Sequence, residues 1–236
     1  MSDQENRLTP LSLLRQQSWL SPAFPTGSYS YSHGIEWVVE AGHIHDRKSL
    51  VDWLEADLRY GSGRNEAIFF MEAWRSVIED DREKLLEIAE LAAAFRSTSE
   101  FALETSQQAT ACLATLRRAW PDPLIESLPA LLSELRVAPV LSLVLGVRAA
   151  RQDIPATLAL PAFLQSYLAN LVTAGVRLVP LGQTDGQLAI AELETAVLAV
   201  AAQAEEATIH DLGSAAFMVD LASASHETQY TRLFRS

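Results

Sequence analysis

The chain has 236 residues, of which 49% are hydrophobic and 20% charged. That balance supports a buried core without disulfides or metal and excludes bulk disorder. Thirty Asp and Glu against eighteen Lys and Arg leave a net charge of −12, which disfavours a phosphate backbone as partner and suits solubility or basic protein partners.

The N-terminal residues, Met1 to Arg7, are polar and no apolar run comes after them. With one cysteine, Cys112, the expectation is a reducing cytoplasm. The apolar run Val137 to Val147 is too short for a bilayer, which takes roughly 20 residues. In chain order, residues 21–28 are interrupted by Pro22, Pro25 and Gly27. Gly42 and Asp46 bracket a turn, and Asp46 is placed to cap a helix starting near Arg47. Leu50, Trp53, Leu54 and Leu58 then recur at helical spacing. Gly61 and Gly63 break or kink the next segment. Apolar stripes run through Ala67, Phe70, Met71, Trp74 and Val77, and through Leu85, Ile88, Ala89 and Ala92. Pro121, Pro123 and Pro129 mark a connection, and Pro155 and Pro161 precede a helix striped by Phe163, Leu164, Leu168 and Leu171. A loop over Val179 to Gln187, with Gly186 at a turn, precedes a helix from about Gln187 to Glu206. Strand-like alternation is scarce. The reading is a single all-α domain over 1–236, a bundle of about ten helices, with 1–8 and 226–236 as flexible ends.

The chain lacks a Gly-x-x-x-x-Gly-Lys-Ser/Thr loop and a dinucleotide fingerprint. Cys112 sits mid-helix with no base nearby in sequence and reads as core. Pro25 to Glu36 packs Ser28, Ser30, Ser32, Tyr29, Tyr31, His33 and Glu36 into twelve positions. As an enzyme site this makes a serine the nucleophile, His33 its base and Glu36 the orienter. Against that, Ser32 and His33 are sequence neighbours, which do not face each other on a helix. His43, His45 and Asp46 offer a sparse ligand set for a transition metal. Residues 226–236 place Tyr230, Leu233 and Phe234 beside Arg232 and Arg235, residue types that anchor interfaces. From physics alone this end docks equally well on its own domain, on a twin subunit or on a partner.

The stretches Leu20 to Glu36, Arg96 to Glu100, Val176 to Gln187 and His226 to Ser236 together resemble the UreF family of urease accessory proteins. The resemblance implies an all-α protein without enzymatic activity or cofactor. It implies a homodimer that binds UreD (also called UreH), recruits the GTPase UreG and engages apo-urease. The assembly supports lysine carbamylation and nickel insertion, with modulation of the UreG GTPase cycle. On this resemblance the partner contacts fall on three segments. The first carries Pro25, Gly27, Ser28, Tyr29, Ser30, Ser32, His33 and Glu36. The second carries Arg177, Pro180, Gln183, Asp185 and Gln187. The third carries His226, Glu227, Gln229, Tyr230, Arg232, Leu233, Phe234 and Arg235, expected to order only on UreD, so that its removal leaves the fold intact. The alternative is a metallochaperone that binds nickel directly through His43, His45 or the acidic surface.

Overall fold

A computed structural model describes residues 8–236. The described residues form eleven α-helices, two short 3-10 turns and no strand. The expected all-α fold is therefore observed.

Local chemistry sets many of the helix ends. Thr9 caps α1 (Pro10–Trp19), accepting the Ser12 N–H, with Pro10 where a helix needs no donor. A short helix α2 (Ile35–Glu40) comes next. Asp46 caps α3 (Arg47–Tyr60) as expected, and the structure adds a reciprocal bond from Ser49. Gly61 then ends α3 and begins α4 (Ser62–Ile78), so the predicted break is a junction between two helices. Asp81, Thr98 and Asp122 cap α5 (Arg82–Ala94), α6 (Ser99–Ala119) and α7 (Pro123–Leu135) through their side-chain oxygens.

The remaining helices are α8 (Leu141–Ala150), α9 (Ala156–Leu178), α10 (Gln183–Glu206) and α11 (Phe217–His226). Two expected connections are helical instead. Pro129 lies inside α7 and Pro161 inside α9. Each deprives only one carbonyl near the helix start of its donor, and Ile125, Leu128 and Leu132, or Phe163, Leu164 and Leu168, are buried around it. The second correction concerns 179–187. Helix α10 begins at Gln183, because the Asp185 carboxylate accepts the Gly182 N–H at 3.2 Å. Gly186 is helical and buried, and a Cβ there would stand 3.0 Å from Val176, so it serves the crossing of α9 and α10.

The core is one cluster in which α4 packs most extensively on α8, and α9 on α10. Gly146 of α8 lets the α4 backbone approach so closely that a Cβ would lie 2.4 Å from the Phe70 oxygen. Cys112 is buried here, and burial pushes its thiol up to about 12, as a core residue rather than a nucleophile. Helices α9 and α10 are long and apolar enough to cross a membrane by length and composition, with mean hydropathy 1.2. They pack chiefly against each other, with α10 also on α3 and α4.

Candidate functional site

Near the start of the chain the backbone is bent by His33 and Gly34, both left-handed, at φ of 57° and 78°. Gly34 is required there: a Cβ would lie 2.8 Å from the Ser223 nitrogen of α11. This bend aims successive side chains at different elements. Ser32 Oγ donates to the Ser236 main-chain oxygen at 2.5 Å, and the Ser32 N–H donates to the same oxygen at 2.6 Å. His33 points to α6 and α9. Glu36 points to α11 and the segment after it.

Around Glu36 the two ends of the chain are joined. Its carboxylate accepts the backbone N–H groups of Leu233 (2.6 Å) and Phe234 (2.9 Å). His226 is fully buried between two carboxylates, with Nε2 3.1 Å from Glu36 and Nδ1 2.8 Å from Glu100. Both ring nitrogens can donate at once only in the protonated ring. Arg232 adds a 3.0 Å ion pair to Glu100. Burial holds the Glu100 carboxyl above its ordinary range, against the opposing pull of His226 and Arg232.

The remaining motif residues close the seam. Arg235 donates its N–H to the Ser30 oxygen (2.8 Å) and its guanidinium to Gln107 (3.2 Å). Gln107 also accepts the Tyr31 hydroxyl. Arg177 donates to the Tyr29 oxygen at 2.7 Å and stacks over Phe234 at 4.4 Å. Ser28 bonds Asn170. Ser99 donates to Glu227, and Gln229 to Glu40. Ser97 reaches Asp220 and Thr98 meets Ser223. The Arg96 to Glu100 motif thus laces α11 and its extension onto α6.

Residues 226–236 are therefore not a loose end: His226, Phe234 and Ser236 are buried against their own domain, while Tyr230 and Leu233 face outward. Residues 1–7 of the other expected flexible end lie outside the described residues, and Leu8 packs on the core. Pro25 and Tyr29 are exposed beside this seam, with Gly27 left-handed at φ 75°. The second predicted segment divides. Arg177 joins the seam, whereas Asp185 pairs with Arg47 (3.4 Å), and Pro180, Gln183 and Gln187 are exposed.

The hydrolase arrangement is not formed. Ser32, His33 and Glu36 engage Ser236, Glu104 and His226 respectively. His43 and His45 are both exposed, and His45 Nε2 stands 3.9 Å from Asp46. Among the described residues no three His, Cys, Asp or Glu converge in a group able to hold a metal.

Sequence reading missed the partners of His33, which come from elements distant in the chain. Nδ1 faces Glu104 at 3.2 Å, Nε2 faces the Tyr167 hydroxyl at 3.2 Å, and that hydroxyl donates to Asp57 at 2.6 Å. The ring stacks on Phe101 at 3.9 Å. Burial alone would lower the His33 pKa, but Glu104, with Asp57 and Glu66 behind it, raises it above 6.5. Burial likewise raises Asp57, and burial and Asp57 together raise Tyr167. A raised folded-state pKa means that the native state holds the proton more tightly. Its stabilising contribution is complete below the unfolded value near 6.5 and is lost as pH rises through the folded value. Urea midpoints are expected to fall as pH rises above about 6.5, and His33→Gln is expected to flatten that slope. An unchanged slope in the variant would assign the dependence to other groups.

The fold and this seam define an all-helical protein whose motif side chains hold backbone and one another. Known proteins identify it further. The sequence model of the UreF family matches residues 44–194. The urease accessory protein UreF of Rhodopseudomonas palustris (strain BisB5) is 47% identical over 225 residues, 95% of this chain and 91% of the relative. That of Bradyrhizobium diazoefficiens is 48% identical over 224 residues, covering 95% and 91%. That of Granulibacter bethesdensis is 45% identical over 224 residues, covering 95% and 94%. The chain belongs to the UreF family of urease accessory proteins.

Proposed function

We propose that the chain is a non-enzymatic urease maturation factor of the cytoplasm. As a homodimer bound to UreD (UreH), it recruits the GTPase UreG to apo-urease for lysine carbamylation and nickel insertion, and modulates the UreG GTPase cycle. The observation that supports this reading best is likeness to proteins named as urease accessory proteins over 95% of the chain. The seam supplies a physical basis for a docking face. Phe234 and the Glu36 hydrogen bonds fix the backbone, so Tyr230 and Leu233 are presented outward with little ordering left to be done on binding.

Tyr29 is exposed as well, and Arg177 holds its carbonyl. Large aromatic groups on a pre-ordered backbone are the usual anchors of an interface. The double substitution Tyr230→Asp with Leu233→Asp changes only outward side chains and is expected to leave melting unchanged. It is expected to weaken capture of UreD by about ten-fold or more in a co-purification assay. Undiminished capture by the folded double variant would remove this face from the interface.

A further inference from the structure

Next to the seam, side chains of α1, α4, α6, α8 and α9 leave an elongated cavity of about 360 Å³. Along α6 its wall runs from Phe101 through Glu104 and Gln108 to Cys112, about 16 Å of helix at 1.5 Å per residue. A cavity of about 150 Å³ lined by Leu, Ile and Phe holds benzene. This one has room for an organic molecule about twice that size.

The two ends of the cavity differ. At the Cys112 end the wall is apolar. Trp19 and Leu145 stand there, beside Arg148 of α8, and Phe163 stacks on Phe70 next to Gly146. At the Phe101 end the wall is charged. Glu66 pairs with Arg96, and Glu104 with His33, whose ring lies on Phe101. Ser97 and Ser214, both exposed, connect this end to the surface.

The atoms left free separate the ligands that fit from those that do not. Glu66 is 8% exposed. Its Oε1 takes Arg96, while its Oε2 has no hydrogen-bond partner among the described residues. That oxygen is not sealed in by protein atoms, so it opens on the cavity that Glu66 lines. Gln108, 7% exposed, gives Nε2 to Glu104 and leaves Oε1 open in the same way. The unpartnered nitrogen of Arg96, Nη2, is by contrast sealed off. A carboxylate oxygen therefore faces the cavity where the unpaired guanidinium nitrogen does not. The ionisable groups of the wall lean the same way, with Glu66, Glu104 and Asp220 against His33 and Arg96. A ligand that brings donors and a positive charge completes such a wall, and an anion does not.

We propose that this cavity is a binding site for a small primary amine with a short hydrocarbon tail. Its ammonium head is held at Glu66, and its tail reaches the apolar end formed by Trp19, Leu145 and Phe163. Volume, apolar lining and a few polar groups at one end are the usual marks of a small-molecule pocket. The site does not depend on the partners proposed above.

The test titrates the full chain with hexylamine, hexanol and hexanoate, which share a tail length and differ in the head. Melting temperature and tryptophan fluorescence are both followed, since Trp19 lines the cavity. At ten times its dissociation constant hexylamine is expected to raise the melting temperature by about 3–6 °C, with a fluorescence change of the same midpoint. Hexanol should need at least about ten times more, and hexanoate should give no response. Leu141→Phe, which fills the cavity from a half-buried position, is expected to abolish both responses to the amine. Glu66→Gln is expected to raise the hexylamine midpoint about ten-fold and to leave that of hexanol unchanged. No response to hexylamine, or an equal one in Leu141→Phe, overturns the site, since an amine also gathers loosely on a chain of net charge −12. Equal midpoints for hexylamine and hexanol, or for hexylamine and hexanoate, overturn the assignment of the head. Should Leu141→Phe fail to fold, an unchanged hexylamine midpoint in Glu66→Gln overturns the proposal.

Discussion

Replacing His226 by leucine is expected to lower the unfolding free energy at pH 7 by about 3–5 kcal/mol, the usual cost of removing one member of a buried ion pair. The cause is local. Leucine occupies a similar volume but leaves Glu36 and Glu100 facing one another without the imidazole, which contacts them at 3.1 and 2.8 Å. Two buried carboxylates that have lost a shared partner repel, and the Leu233 and Phe234 N–H groups on Glu36 and the Arg232 pair on Glu100 offset only part of their lost hydration. For a chain of this length that loss corresponds to roughly 6–20 °C in melting temperature. The deficit should be largely restored by adding Glu36→Gln and Glu100→Gln, which remove the two unpaired charges. Amide exchange gives a site-resolved reading. The Leu233 and Phe234 N–H groups, which Glu36 accepts, are expected to lose protection. A variant that melts like the wild type and keeps those amides protected would show that the seam does not rest on His226.

Gly34→Val is the second large effect. Valine at φ 78° is a backbone outlier that costs on the order of 1–3 kcal/mol by itself. Its Cβ would also stand 2.8 Å from the Ser223 nitrogen and 3.1 Å from the Ala222 carbonyl carbon, neither of which is a flexible side-chain end. Helix α11 has to move away from α2, which takes Ser223 from Thr98 and His226 from Glu36. The expected result is a folded core with a detached segment: helical circular dichroism is kept while cleavage by protease within 217–236 rises sharply. Gly34→Ala meets the same contact with a smaller side chain and is expected to show the same pattern less strongly. Protease resistance equal to the wild type in both variants would refute the account of the left-handed bend.

What the sequence discloses depends on how far apart the interacting groups lie in the chain. Asp46 and Ser49 are three residues apart, and the cap of α3 is readable directly. The stripes on α3, α4, α5 and α9 are readable for the same reason, since helical period is a local property. The proline-marked connections mislead because burial of Ile125 and Leu128, or of Phe163 and Leu164, outweighs the local preference of Pro129 and Pro161 to end a helix. The motif residues of Pro25 to Glu36 are conspicuous, but their purpose is not. Whether Glu36 orients a catalytic histidine or holds a chain end depends on His226, 190 positions away. Glu104 and Tyr167, the partners of His33, carry no signal in sequence beyond helical spacing.

The seam also orders events in time. Glu36 and Ser32 are synthesised early, and the groups that satisfy them, His226 and Ser236, lie 190 and 204 positions later. At ribosomal rates of about 5–20 residues per second, that interval is roughly 10–40 s. Throughout it, the Glu36 carboxylate and the Ser32 amide stand bare or hydrated on a growing helical body. The outward face of Tyr230 and Leu233 does not yet exist. A partner that reads that face therefore reads the joining of two segments made far apart in time. It is offered only by chains in which residues 32–36 and residues 226–236 have both been made and have found each other, so a misfolded chain has nothing to present.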